Sequence, residues 1–236
     1  MQFGVREAAR LLNVSEKTIY RWISQKKLPA YKIQEQYRFN RAELLEWATA
    51  TKINVSSDIF AETESGASDV PRLAEALSAG GIHYRVGGAD KLAVLKAAID
   101  VMPLPEEVDK NFLLDVLVAR EKLGSTAVGD GIALPHVRNP IVMHIPRPMI
   151  TLCFLEKEVD FDALDGKPVH TLFLIVSPTV TAHLGLLSRL AFGLHREEFR
   201  TAIARQGSRE EIVALAAEID AQVLANQATA KGGAPL

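Results

Sequence analysis

The sequence contains one cysteine, Cys153, among 236 residues. A single thiol cannot form a disulfide within the chain, which excludes the small disulfide-stapled folds of secreted proteins and fits a reducing compartment. Cys153 lies in the apolar run MITLCFLE, a pattern typical of a buried strand. We therefore interpret it as a core residue and not as a reactive thiol.

The sequence also lacks a targeting signal and a long apolar run. The first twelve residues, MQFGVREAARLL, are charged and have no apolar signal-peptide core. Residues 169–188 contain no Lys, Arg, Asp or Glu, but they include Pro178 and several hydroxyl side chains. Their apolar core, LFLIV, is far shorter than the roughly 20 residues of a membrane-spanning helix. We expect a cytoplasmic protein without membrane insertion.

Charge is distributed unevenly along the chain. Residues 1–52 carry ten Lys/Arg and five Asp/Glu, whereas the remainder carries 17 and 24, so a net charge of −2 conceals a basic segment and an acidic one. Hydrophobic residues make up 48% of the sequence, as in ordinary globular proteins. The length suits one large domain or two modest ones, and the asymmetry indicates two modules with different partners.

Sequence periodicity divides the chain into four segments. Residues 1–51 read as three helices and a hairpin, and we call them the head. Residues 52–70 are small and polar, which predicts a linker. Residues 71–224, which we call the body, alternate helical and strand patterns and predict an α/β domain with a mixed β-sheet flanked by helices. Residues 225–236 read as a flexible tail.

The head has the layout of a helix-turn-helix domain. Ser15 is suited to cap a second helix, EKTIYRWISQK, in which Ile19, Trp22 and Ile23 face inward. The opposite face and the following hairpin present side chains suited to phosphates and base edges. These candidate DNA contacts are Lys17, Thr18, Arg21, Gln25, Lys26, Lys27 and Arg38. The alternative is a helical module that binds protein and whose basic residues are merely solvated.

The stretch VREAARLLNVSEKTIYRWISQKKLPAYKIQEQYRFNRAELLEWA resembles the excisionase- and MerR-like winged helix-turn-helix family over about residues 3–48. The resemblance implies that the head binds DNA. It also implies a homodimer, because such domains usually read paired half-sites.

The motif GDGIALPHVRNP, residues 129–140, places His136 directly after Pro135 at the end of a predicted strand. A neutral imidazole nitrogen is a nucleophile able to carry a phosphoryl group. Pro135 fixes its own φ and holds the preceding residue extended, which aims the chain in one direction. Gly129 and Gly131 allow backbone N–H groups to approach an anion closely. The alternative is an ordinary turn with no chemical role.

The segment AREKLGSTAVGDGIALPHVR, residues 119–138, resembles the IIA domains of the fructose/mannitol and nitrogen-regulatory type of the bacterial phosphotransferase system. The resemblance continues through VDFDALDGKPVHTLFLIVSP and TAHLGLLSRLA and covers about residues 71–222. Two positions depart from the family pattern: Ala127 stands where glycine is common, and Val137 stands where a small residue is usual.

This resemblance implies roles for particular residues. His136 is the phosphoryl acceptor, with an HPr-like phosphocarrier protein as donor, His183 is a second histidine beside it, and Arg120 stabilises charge on the transferring group. The loop residues that surround the phosphate are Ser125, Thr126, Gly129 and Gly131. The plain alternatives are a helix-start residue for His183 and a surface ion pair for Arg120. No cofactor is implied, and the remaining histidines show no metal-ligand spacing.

Three functions remain open from sequence. The first is a phosphorylation-tuned transcriptional regulator, favoured by the attached head. The second is a transport component that passes phosphate to a separate IIB protein. The third is a docking module that is never phosphorylated. Either phosphorelay function requires the His136 ring to lie close to Arg120 and His183 and to be reachable by another protein.

Overall fold

The computed structural model describes residues 2–25, 27–33, 35–51, 53, 71–137 and 145–232. The head contains three helices, namely α1 (Val5–Leu11), α2 (Glu16–Ser24) and α3 (Arg41–Ala50). Its antiparallel sheet has the strand order β1 (Gln2–Phe3), β3 (Gln36–Asn40), β2 (Tyr31–Ile33). The predicted cap is confirmed, since the Ser15 hydroxyl accepts a hydrogen bond from the Thr18 backbone N–H at 3.2 Å. The two-residue strand β1 is too short for periodicity to predict.

The body is a five-stranded mixed sheet flanked by helices, as predicted. Its helices are α4 (Leu73–Gly80), α5 (Lys91–Val101), α6 (Lys110–Glu121), α7 (Val180–Leu194), α8 (Glu197–Ala204) and α9 (Arg209–Gly232). Its strands are β4 (Ile82–Val86), β5 (Ala127–Gly129), β6 (Ile132–Ala133), β7 (Met149–Val159) and β8 (Val169–Val176). The strand order is β4-β7-β8-β6-β5, and β8 pairs antiparallel with β7 and parallel with β6.

The central strand β8 explains why the body has two core layers. Successive side chains of a strand point to opposite faces. Leu172 and Leu174 pack in a cluster with residues of α5 and α6, whereas Phe173 and Ile175 pack in a second cluster with residues of α4, α7, α8 and α9. A strand buried on both faces reads as a continuous apolar run, which accounts for LFLIV.

The interpretation of Cys153 as a core residue is confirmed. The side chain is fully buried on β7 within the cluster that contains α5 and α6. Burial raises the pKa of the Cys153 thiol to about 12, so the thiol stays protonated and unreactive at neutral pH.

A side-chain cap fixes the start of helix α6. The helix begins at Lys110, because the Asp109 carboxylate accepts hydrogen bonds from the N–H groups of Asn111 and Phe112. Helix α9 continues to Gly232 and so includes residues 225–232 of the predicted tail. Residues 54–70 of the predicted linker and residues 233–236 lie outside the described residues. In the ranges that are described, no helix is long and apolar enough to cross a membrane.

The head packs directly on the body. Helix α3 contacts α7 and β5. Two apolar side chains of the body, Leu184 on α7 and Val223 on α9, belong to the core cluster of the head and to neither cluster of the body. The contact lies where α7 begins, which is the end of the sheet that carries the Pro-His motif.

Candidate functional site

The central sheet fixes the backbone of His136. Strand β6 runs parallel to β8, and the pairing continues past its end, since the Ile175 N–H donates to the Pro135 carbonyl at 2.9 Å. His136 itself forms a parallel bridge with Ile175. The backbone after Pro135 therefore remains attached to the most buried strand of the body, and the imidazole emerges from a rigid base.

Two hydrogen bonds define the tautomer of the His136 ring. Nδ1 lies 2.8 Å from the Leu134 carbonyl oxygen, and Nε2 lies 3.3 Å from Nε of Arg120. A carbonyl oxygen only accepts and a guanidinium only donates, so Nδ1 carries the proton and Nε2 holds the lone pair. The ring is thus a neutral imidazole whose nucleophilic nitrogen faces a cation.

Arg120 and Glu121, adjacent in sequence at the end of α6, divide two tasks. Arg120 donates to His136 and, through Nη1, to the Gly124 carbonyl at 2.8 Å. The buried Glu121 carboxylate accepts from the Thr126 N–H at 3.1 Å and from its hydroxyl at 2.6 Å, and Lys91 lies 3.4 Å away. Arg120 therefore contacts the His136 ring, whereas Glu121 holds the turn before β5 through its hydrogen bonds with Thr126.

His183 lies beside His136. It is the fourth residue of α7, whose first turn is capped by the Thr179 hydroxyl, which accepts from the Ala182 N–H at 3.1 Å. The two ring centroids are 5.1 Å apart, with the planes inclined by 40°. The positive end of the α7 dipole therefore lies at the same place as the imidazole pair. The structure brings together Arg120, His136 and His183, as the sequence motif predicts.

The predicted loop residues separate into two groups. Ser125 and Thr126 line the cavity at the His136 ring, but their hydroxyls donate to the Phe161 carbonyl and to Glu121. Gly129 and Gly131 form the turn between β5 and β6, with φ values of 88° and 71°. A Cβ on Gly131 would lie 2.3 Å from the His170 ring, so this glycine is required for close packing. A phosphate-binding role for these two glycines stays a prediction.

A cavity of about 690 Å³ lies between the head and the body at this point. Arg120, His136 and His183 line it from the body, and head residues Lys27, Leu28, Arg41 and Trp47 line it from the other side. The two imidazoles are only 1% and 2% exposed. By contrast, the cavity wall also includes the exposed apolar side chains Leu123 and Leu164. The ring thus has the predicted neighbours, and residues of the head line the same cavity.

The candidate DNA contacts are mostly on an open surface. Lys17, Arg21 and Gln25 are exposed along α2, on the side opposite the buried Ile19. Thr18 is half-buried and pairs with Ser15, its hydroxyl oxygen lying 3.0 Å from that of the serine. The remaining three candidates have different locations. Lys27 is exposed but lines the cavity, Arg38 is half-buried and donates to Gln36 at 2.8 Å, and Lys26 lies outside the described residues.

Within the described part of the chain, no group of three or more His, Cys, Asp or Glu side chains is arranged to hold a metal ion. The candidate site therefore consists of the imidazole rings of His136 and His183, the guanidinium of Arg120 and the N-terminus of α7.

Comparison with known proteins identifies relatives of both segments. Residues 75–218 match the family described as phosphoenolpyruvate-dependent sugar phosphotransferase system, EIIA 2, and residues 3–52 match a helix-turn-helix domain family. A nitrogen regulatory protein of Pseudomonas aeruginosa is 36% identical over 152 residues, which cover 63% of this chain and 96% of the relative. A fructose-specific EIIA component of Haloferax volcanii is 33% identical over 113 residues, 47% of this chain and 71% of the relative. The crystal structure of nitrogen regulatory protein IIA-Ntr from Neisseria meningitidis aligns with a TM-score of 0.53 at 29% identity, covering 61% of this chain and 98% of that one.

Proposed function

The chain belongs to the EIIA 2 family of the phosphoenolpyruvate-dependent sugar phosphotransferase system, and on this premise we propose that Nε2 of His136 accepts a phosphoryl group from the phosphohistidine of an HPr-like carrier protein. The observation that carries the proposal is the pair of hydrogen bonds on the ring. The bond from Nδ1 to Leu134 leaves the lone pair on Nε2, and the bond from Arg120 places a cation at that nitrogen.

In the proposed step, the Nε2 lone pair attacks phosphorus in line with the donor nitrogen. The bond from phosphorus to the donor nitrogen breaks, and the donor ring, which carries a proton on its other nitrogen, keeps the electron pair and leaves as a neutral imidazole. Nδ1 of His136 retains its proton, hydrogen-bonded to the Leu134 carbonyl. Arg120 and the N-terminus of α7 stabilise the negative charge on the three phosphoryl oxygens, and His183 lines the same cavity. Little covalent chemistry is required of the protein beyond positioning and charge.

We further propose that the chain is a regulator in which the head binds DNA and the phosphorylation state of the body modulates it. A phosphoryl group adds about −1.5 to −2 charges at the site. The covalent attachment of a helix-turn-helix segment with an exposed basic face supports a regulatory role over a purely transport role. The proposal places the chain in the cytoplasm, where HPr-like carriers and DNA are both present. Passage of phosphate to a IIB protein remains the alternative.

A phosphorylation assay on the full chain tests the first proposal. The protein is incubated to completion with phosphoenolpyruvate, enzyme I and an HPr-like carrier, and acid-labile, alkali-stable phosphate is measured. We expect labelling of wild type and none of His136→Ala. His83→Gln is the matched control, because His83 lies on β4 at the opposite edge of the sheet, and it is expected to label as wild type does. An unlabelled wild type, or a labelled His136→Ala, contradicts the proposal.

A salt titration tests DNA binding by the head. Affinity for a random-sequence duplex is measured as ionic strength rises, for wild type and Arg21→Ala. Loss of one phosphate contact is expected to reduce the slope of log affinity against log salt by about 1. Arg85→Ala removes an exposed arginine of the body and serves as control. Absence of binding at low salt excludes the DNA-binding role.

A further inference from the structure

The docked head covers the phosphoacceptor site. Lys27, Leu28 and Trp47 of the head line the cavity at the His136 ring, and the ring is 1% exposed. Helix α3 of the head contacts α7, the helix that carries His183. The head therefore lies on the face from which the nucleophilic nitrogen must be approached.

An apolar contact holds the head on this face. Leu184, the residue after His183, is 8% exposed, and Val223 on α9 is completely buried. Both pack in the cluster that contains Leu28 and Leu44 of the head, and neither belongs to the core clusters of the body. Burial of two branched aliphatic side chains removes apolar surface from water and so favours docking. The contact is thus able to hold the head in place.

A protein donor needs the same face. Its phosphorus must come within about 3–3.5 Å of Nε2, and a specific protein contact covers about 800 Å² of each partner. The exposed apolar residues Leu123 and Leu164 offer one part of such a surface, but the part formed by α7 is under the head. We infer that the head and the phosphoryl donor protein compete for one face of the body, so that the docked head shields His136. The inference rests on the proposed phosphorylation of His136.

Docking does not hide the DNA-binding face. Lys17, Arg21 and Gln25 remain exposed along α2 while α3 contacts the body. DNA and the body therefore bind different sides of the head. The competition is between the head and the donor protein, and the head can contact DNA without leaving the body.

The test compares full-length wild type with Val223→Asp, which places a carboxylate in the apolar contact and favours the released head. Initial rates of phosphoryl transfer are measured from two donors, a phosphorylated HPr-like carrier and the small molecule phosphoramidate. Leu224→Asp is the matched control, because Leu224 is the neighbouring residue on the same helix but is 44% exposed. The double variant Val223→Asp/His136→Ala measures any labelling at residues other than His136.

If the head shields the ring, Val223→Asp accepts phosphate from the carrier about tenfold faster or more, since the rate follows the fraction of chains with an open face. Transfer from phosphoramidate is accelerated much less, because a small donor does not need the protein-sized contact face that the head occupies. Leu224→Asp matches wild type with both donors.

Other outcomes overturn the inference in distinguishable ways. Equal carrier rates for wild type and Val223→Asp, with both proteins labelled, exclude the competition and leave the phosphorelay intact. Equal acceleration by both donors shows a general barrier at the ring and not competition with a protein. Loss of transfer from both donors in Val223→Asp alone shows that Val223 supports the body itself. No labelling of any variant by either donor rejects the phosphorelay, and the competition with it.

Discussion

Arg120 is held by two hydrogen bonds in different directions, one to the imidazole and one to the Gly124 carbonyl. A planar guanidinium carries donors in a fixed fork, whereas a lysine ammonium is a single compact charge on a flexible stem. The second bond therefore positions the first, and arginine is the residue suited to this place. A positive charge alone, as on a lysine, does not reproduce the two hydrogen bonds of Arg120.

We accordingly predict that Arg120→Lys retains the fold but slows phosphoryl transfer to His136 by about 10- to 100-fold. This is less than the roughly 100- to 1,000-fold loss on complete removal of a positioned donor to a charged transition state, because lysine keeps the charge. The measurement is the initial transfer rate from the phosphorylated carrier. Arg85→Lys makes the same chemical change at an arginine whose side chain is 81% exposed and is expected to leave the rate unchanged. A wild-type rate in Arg120→Lys would show that charge alone is sufficient.

At the same residue scale, the family resemblance predicted His136, His183 and Arg120 as site residues, and the structure brings them together, but the sequence did not reveal the partner of Nδ1. That partner is the Leu134 carbonyl, two residues earlier. A bond between a side chain and a nearby backbone atom depends on the χ angles of the histidine, and residue types do not encode these directly. The tautomer, and hence which nitrogen holds the lone pair, required the structure.

At the scale of elements, helix α4 begins at the carboxylate of Asp220 on α9, which also forms a buried ion pair with Arg189 on α7. The Asp220 carboxylate accepts from the Leu73 N–H at 2.9 Å and the Ala74 N–H at 3.0 Å, and Nε of Arg189 lies 3.4 Å away. Burial raises the pKa of Asp220, and the two backbone hydrogen bonds and Arg189 offset part of that rise. Arg189 is only 2% exposed, so its charge relies on this carboxylate inside the body.

Asp220→Ala takes the carboxylate away from the buried Arg189 and from the two N–H groups at the start of α4, so we predict that it lowers the free energy of unfolding by about 3–5 kcal/mol. Urea denaturation measures the change. Asp109→Ala removes an exposed helix cap and is expected to cost only about 1 kcal/mol. Similar losses in the two variants would argue that the pair is no more important than a surface cap.

The glycines of the motif have a structural role that the sequence did not reveal. Gly129 and Gly131 suggest an anion-binding loop, which stays a prediction, and in the structure they turn the chain between β5 and β6, with Gly131 packed against His170. Close approach of the backbone to a phosphate and tight packing against a ring require the same small residue. Strands β7 and β8 could be predicted from the sequence, because a strand that is buried on both faces appears as a nearly continuous apolar run.

For the whole molecule, the position of the head on the body was beyond sequence reasoning. Leu184 and Val223 occupy apolar positions of amphipathic helices, and the pattern is the same whether such a residue faces its own domain or another one. The opposite charges of the two segments indicated different partners, but gave no indication that one segment covers the site of the other. The packing of these two side chains in the head cluster, together with the contacts of α3 with α7 and β5, shows it.

A shared apolar contact couples the stabilities of head and body, because each loses part of its buried surface when the other unfolds. We predict a single calorimetric transition for wild type and two transitions for Val223→Asp, with the smaller head melting first once it is released. Leu224→Asp changes the same helix at an exposed position and should retain one transition. If Val223→Asp also melts in one step at the wild-type temperature, the contact at Val223 does not couple the stabilities of head and body.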